Sequence, residues 1–225
     1  MSEMVLAVKQ TKIAKLAVLG GVALALGGCV GADEYAQYTP VDQQYLDLAS
    51  RAGDQLERIS SKSLGGTRFN TAFGGMPNSG SARYNGHATV IVDRVRDGAI
   101  QAGDFLAIST GDVHVEFSGD TTVTGNFSNF IGAGPTGAAI VYNGALVLSN
   151  GRVGENRPND FIADVDMRLD APGTNESYEI HTSVLGDFVG TPIYGVVALS
   201  DVSTTAVVDD VVVRDAAFIV AGEAN

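Results

Sequence analysis

The 225-residue chain has no tryptophan, one cysteine, and only 14 lysines and arginines against 26 aspartates and glutamates. The lone cysteine excludes an intramolecular disulfide framework and a cysteine-rich zinc site. A net charge of −12 without a basic patch argues against nucleic acid, because phosphate binding needs clustered lysine and arginine. Signatures of catalysis are missing too. There is no Gly-x-Ser-x-Gly elbow, no His-Glu-x-x-His, and no phosphate loop ending in Lys-Ser or Lys-Thr. The expectation is a protein that is not an enzyme, with room for one ordinary domain and an appendage.

The N-terminus is an address. Lys9, Lys12 and Lys15 precede an apolar segment, Leu16 to Leu26, of 11 residues. A bilayer span needs about 20, so the segment fits the apolar part of a secretory signal. It ends in Leu26-Gly27-Gly28-Cys29. Leucine three places before cysteine, with small residues between, resembles the lipobox of bacterial lipoproteins, and the chain's only cysteine stands there. That resemblance implies removal of residues 1–28, diacylglycerol on the Cys29 thiol and a further acyl chain, such as palmitate, on its amine. Each buried methylene contributes about 0.8 kcal/mol, so two or three chains anchor firmly where one does not. Val30 and Gly31 stand where an inner-membrane lipoprotein typically carries aspartate, which favours the outer membrane. Removing the signal takes away three lysines and one glutamate and leaves a net charge of −14. So acidic a domain should stand off an anionic lipid surface.

Residues 29–38 read as a lipidated tether and residues 39–64 as one amphipathic helix. Thr39 supplies an N-cap hydroxyl, Pro40 the first helical position, and Asp42 an acid in the first turn. Val41, Tyr45, Leu48, Ala52, Leu56 and Ile59 recur at helical spacing, and Gly65-Gly66 ends the run. Such a stripe is a packing face for the neighbouring domain, or alternatively a partner-binding or coiled-coil face.

From residue 80 the period becomes two. Ala82, Tyr84, Gly86, Ala88, Val90 and Val92 alternate with polar residues, as do Val113, Val115 and Phe117. Val123, Gly125 and Phe127 follow across Ser118-Gly119-Asp120, which predicts a hairpin. Further strands are expected over 138–149, 160–170, 177–186, 192–200 and 211–221, separated by Asn150-Gly151, Pro172-Gly173 and Gly190-Thr191-Pro192. Eight strands with one apolar face each and no intervening helix predict a mainly β domain over 72–222: an eight-stranded antiparallel up-and-down barrel. Glycines inside the strands suit the sharp coiling of a small barrel. The other face carries Arg83, Asp112, Glu116, Asp164, Asp166 and Arg168, which is no lipid-facing band.

Three of these segments resemble the transferrin-binding-protein-B-like β-barrel surface lipoproteins. Met76-Pro77-Asn78-Ser79-Gly80-Ser81-Ala82-Arg83-Tyr84-Asn85-Gly86 resembles the family's entry into its first strand. Asp112 to Phe117 followed by Thr122-Val123-Thr124-Gly125 is similar to its central hairpin. Gly186-Asp187-Phe188-Val189-Gly190 looks like its Gly-x-Phe-x-Gly corner. The resemblance covers about residues 76–222 and implies a single-barrel member, an outer-membrane surface lipoprotein of a kind whose ligands vary: host proteins, haem in iron acquisition, or none known. The chain departs from the family at Thr191 to Gly195 and at Ala216-Ala217-Phe218. It lacks the second lobe of the transferrin receptors, so transferrin binding does not carry over.

His87, His114 and His181 lie in strands, the first two on the polar phase, and read as solvated. Asp160, Asp164 and Asp166 on one strand face also read as a solvated ladder, since calcium prefers a loop that wraps it. Asp209-Asp210 reads the same way. No metal and no cofactor is expected beyond the lipid on Cys29. Binding of a protein or small solute is expected on the loops, read as 93–104, 129–137 and 150–159. Arg94 and Arg96 on the first, and Phe130 and Ile131 on the second, would share one rim as a basic and apolar ligand site. The alternative is a structural envelope lipoprotein without a soluble ligand. Cys29→Ser should abolish acylation and release the protein from the membrane; unchanged incorporation of labelled lipid would end the lipoprotein reading.

Overall fold

The computed structural model describes residues 39–64, 75–93, 105–117, 121–134, 138–154, 159–190, 192–200, 204–209, 211–214 and 216–224. A 25-residue helix, α1 (Pro40–Leu64), precedes eleven strands. These are β1 (Ser81–Val92), β2 (Phe105–Glu116), β3 (Thr122–Ala133), β4 (Ala139–Val141), β5 (Asn143–Val153) and β6 (Asp160–Asp170). Then come β7 (Ser177–Val189), β8 (Gly195–Ser200), β9 (Thr205–Val208), β10 (Val211–Arg214) and β11 (Ala216–Ala224).

Registers reduce the eleven to eight positions. β4 and β5 both pair with β3, β8 and β9 both pair with β7, and β9–β10 and β8–β11 are successive pairings of one long hairpin. Each doublet is one strand interrupted once. Every neighbouring pair is antiparallel, and the β1–β11 and β7–β8 pairings close the circuit into an eight-stranded barrel. The mainly β, up-and-down barrel with one N-terminal helix is therefore the fold.

Closure needs tight coiling, and a row of glycines allows it. Gly86 pairs with Gly111 on one side and Gly222 on the other. A Cβ on Gly86 would lie 1.8 Å from the Ala221 carbonyl oxygen, and one on Gly111 would lie 2.5 Å from the Phe127 ring. No side chain fits at either place.

Inside, the alternation reads as expected. Tyr84, Ala88, Val90, Val92, Val113, Val115, Phe117, Val123 and Phe127 all point into one buried core with Leu146, Leu148, Val165, Met167 and Ile180. At one end Phe105 stacks on Tyr178 at 3.9 Å, with Tyr142 edge-on at 5.3 Å from Phe105. At the other end Phe188 lies between Phe161 and Phe117, at 5.4 and 6.0 Å. Such aromatic pairs contribute about 0.5–1.5 kcal/mol each beyond area burial.

Two bulges correct the sequence reading. The segment 129–137 was expected to be a loop, yet β3 continues to Ala133. Asn129 adopts a left-handed conformation (φ 58°), and the β2–β3 register shifts between Ile108 and Thr110. One extra residue reverses the alternation. Inward positions change from Val123 and Phe127 to Phe130, which is fully buried. Asn150-Gly151 was expected to be a turn, but it lies inside β5, which runs to Val153. Asn150 (φ 51°) is left-handed there, and the β5–β6 register shifts between Ser149 and Arg152. In both places Ser-Asn precedes the shifted inward residue. The hairpin across 118–120 and the turn at Pro172-Gly173 stand as expected.

Phe130→Ala should lower unfolding stability in urea by about 3–5 kcal/mol, the cost of truncating a fully buried phenylalanine. A loss under about 1 kcal/mol would return this residue to the rim.

Candidate functional site

α1 lies against the outside of the barrel and runs from one rim to the other. Thr39 caps it: the Asp42 amide donates to Thr39 Oγ1 at 3.2 Å, and Thr39 N donates to Asp42 Oδ2 at 2.9 Å. Asp42 Oδ1 also accepts the amide of Ala139, the first residue of β4, at 2.7 Å. That bond, with the Thr39 hydroxyl, holds the Asp42 carboxyl below its ordinary value of 3.8.

The expected stripe is the buried face. Tyr45, Leu48 and Ala52 pack with Ile108, Leu106, Ile131 and Ala139. Ile59 and Leu56 pack with Val189, Ala221, Tyr194 and Val197. Of the two alternatives for this helix, packing on its own domain is the one the structure shows. Tyr194 Oη donates to the Ile59 carbonyl at 3.3 Å.

Between the two apolar patches sits a polar centre that the sequence did not announce. Gln55 is 5% exposed. Its Nε2 donates to the Asn85 carbonyl at 3.0 Å, beside the glycine row, and its Oε1 lies 2.6 Å from His87 Nδ1. Because Oε1 can only accept, the His87 proton sits on Nδ1. Arg58 grips Glu223 of β11 through two bonds, Nη2–Oε2 at 2.8 Å and Nε–Oε1 at 3.3 Å. His87 was expected to be solvated, but the helix half-buries it. Burial pushes its pKa below the ordinary 6.5, Arg51 and Arg58 add to that, and Glu223 opposes it.

The other expected residues fall as follows. Arg94 and Arg96 lie outside the described residues. Phe130 is core, and Ile131 faces outward under α1, so the two do not form an exposed rim patch. The flanking strand ends do place the connections after Asp93 and Gly134 at one rim and the connection after Gly154 at the other. His114 approaches Glu116 at 4.0 Å, and exposed His181 bonds Asp166 at 2.7 Å. The three histidines are thus not brought together, and no metal-ligating group of three forms among the described residues. Asp164 and Asp166 are exposed, but Asp160, expected with them, is 2% exposed. Asp209 does not simply solvate a turn: its Oδ1 accepts the Ser177 amide at 2.9 Å and ties the β9–β10 turn to β7.

Among the described residues, the barrel interior offers no alternative site. Its buried core side chains are 0–3% exposed, with Met76, Ile140, Ile193 and others partly buried against them, and a cavity able to hold a ligand would leave accessible surface on its walls. The arrangement is a closed, filled barrel with a helix clasped across it. Comparison with known protein families, with characterised proteins and with solved structures finds no match.

The His87 seam predicts a pH dependence. A histidine with a lowered folded pKa binds fewer protons folded than free, so its stabilising share is present above about pH 6.5 and is lost as pH falls through the folded pKa. Amide hydrogen exchange in α1, corrected for intrinsic rates, should show weaker protection at about pH 5 than at about pH 7.5. His87→Gln should flatten that difference. The same acid weakening in His87→Gln would assign it to another group.

Proposed function

We propose that the chain is a lipoprotein of the bacterial outer membrane, held by acyl chains on Cys29, that displays its barrel as a binding module. The filled interior carries this reading from fold to function. Small-molecule sites are concave cavities of roughly 300–1,000 Å³, whereas here the lumen is packed with side chains of 0–3% exposure. Recognition is left to the rims and outer face, surfaces that suit a protein partner better than a small solute. The exposed charges Arg83 and Arg168, 66% and 64% exposed, are costly against lipid. They support a barrel standing in water beside the bilayer rather than inside it. The resemblance to transferrin-binding-protein-B-like barrels supports a host protein as the partner, with iron or haem acquisition as the associated role.

Protease treatment of intact cells should remove a surface-displayed barrel, and immobilised protein beginning at residue 30 should capture a partner from the surrounding fluid. A barrel that survives shaving yet is cleaved once the outer membrane is opened would be periplasmic. No capture in either compartment would favour a structural envelope protein without a soluble ligand.

A further inference from the structure

The direction of α1 fixes which rim faces the membrane. Its N-terminus is bound at the rim where β3 ends and β4 begins, through Asp42 to Ala139. Its other end is bound at the opposite rim, through Ile59 against Val189, Ala221 and Tyr194. Resting on the lipid anchor proposed above, we propose that the barrel stands with the rim of Asp93, Ala139, Asn175 and Asp209 toward the bilayer. The opposite rim then points away from it.

Covalent geometry sets the constraint. Thr39 lies ten residues after Cys29, so the chain between them spans at most about 36 Å. β1 has 12 residues, which at about 3.3 Å per residue and a tilt near 40° makes the barrel roughly 30 Å tall. Bringing the far rim to the bilayer would stretch that chain along nearly the whole barrel. Keeping the near rim there costs no such extension.

The far rim also has a different character. Its described connecting residues, Gly75–Gly80, Thr121, Gly154, Asn159, Gly190 and Pro192–Tyr194, include no charged side chain. Pro77, Asn78, Ser79 and Pro192 are exposed there, with Met76, Ile193 and Tyr194 partly so. At the near rim Asp209 is exposed and Glu176 partly so, while Asp93 is buried. The connection carrying Arg94 and Arg96 leaves from the near rim, after Asp93.

The test uses the full-length lipidated protein in neutral phosphatidylcholine vesicles. Lipidation consumes the only native thiol, so Asn175→Cys and Asn78→Cys each give one labelled site, near and far. Flotation with the vesicles comes first, because a protein that does not float fails the anchor reading and not the orientation. In floating protein, energy transfer to a lipid-surface acceptor should be at least about twofold greater from position 175 than from 78, given a rim separation of roughly 30 Å. Equal or reversed transfer would overturn the proposal. A double variant, Leu48→Asp with Ile59→Asp, should free α1 and erase the difference while circular dichroism shows the barrel intact. A difference that survives release of the helix would also overturn it.

Discussion

An eight-stranded barrel must turn its sheet through a full circle while keeping each ladder paired, and here that requirement falls on the row Gly111–Gly86–Gly222. A methyl group at Gly86 would meet the neighbouring backbone at 1.8 Å, a collision that only backbone displacement could relieve. The row brings β2, β1 and β11 close and lets Phe127 lie over Gly111. Closure then removes the open edges that would otherwise invite pairing with other chains. The two aromatic groups, Phe105–Tyr142–Tyr178 and Phe117–Phe161–Phe188, plug the ends of the narrow interior so produced.

The helix depends on that coil in turn. Gln55 reaches the Asn85 carbonyl beside Gly86, and the same side chain accepts from His87. Apolar contacts on either side supply most of the attraction, but they are tolerant of sliding. The polar centre is not. Shifting α1 by one turn would keep much apolar area covered while leaving buried Gln55 unpaired, a loss of about 1–3 kcal/mol. Gln55, Asp42 and the Arg58–Glu223 pair therefore select one register from several that burial alone would allow.

Where alternation was unbroken, the sequence was legible. Tyr84 to Val92, Val113 to Phe117 and the helix stripe each predicted both element and buried face. Reading stopped where one residue reversed the phase. After Asn129 the inward set moves from odd to even numbers, so Phe130 looks out of step with Phe127 although both are core. Asn150-Gly151 has the composition of a hairpin turn, and only the pairing of Leu148 with Val165 and Arg152 with Ile162 shows that the strand passes through it. Burial by a second element was equally invisible. His87 is on the outward phase of β1, and nothing in its own strand tells that a helix covers that row. Gln55 could have been noticed as a polar residue immediately beside Leu56 in the stripe, but its partners are 30, 32 and 168 residues away.

The path of the chain gives α1 a role that neither its burial nor its polar seam requires. β1 begins at the far rim, where the Phe117 amide donates to the Gly80 carbonyl. Without the docked helix, an anchor upstream would hold the barrel by that end. A 25-residue helix is about 37 Å long, enough to carry the chain from one rim of a roughly 30 Å barrel to the other. Docking thus transfers the point of attachment across the molecule before the first strand starts. Undocking would return that point to the start of β1 and remove the constraint on which rim an upstream anchor holds near. The seam of Gln55, His87 and Arg58 that fixes the helix therefore also fixes the rim at which the chain enters the barrel domain.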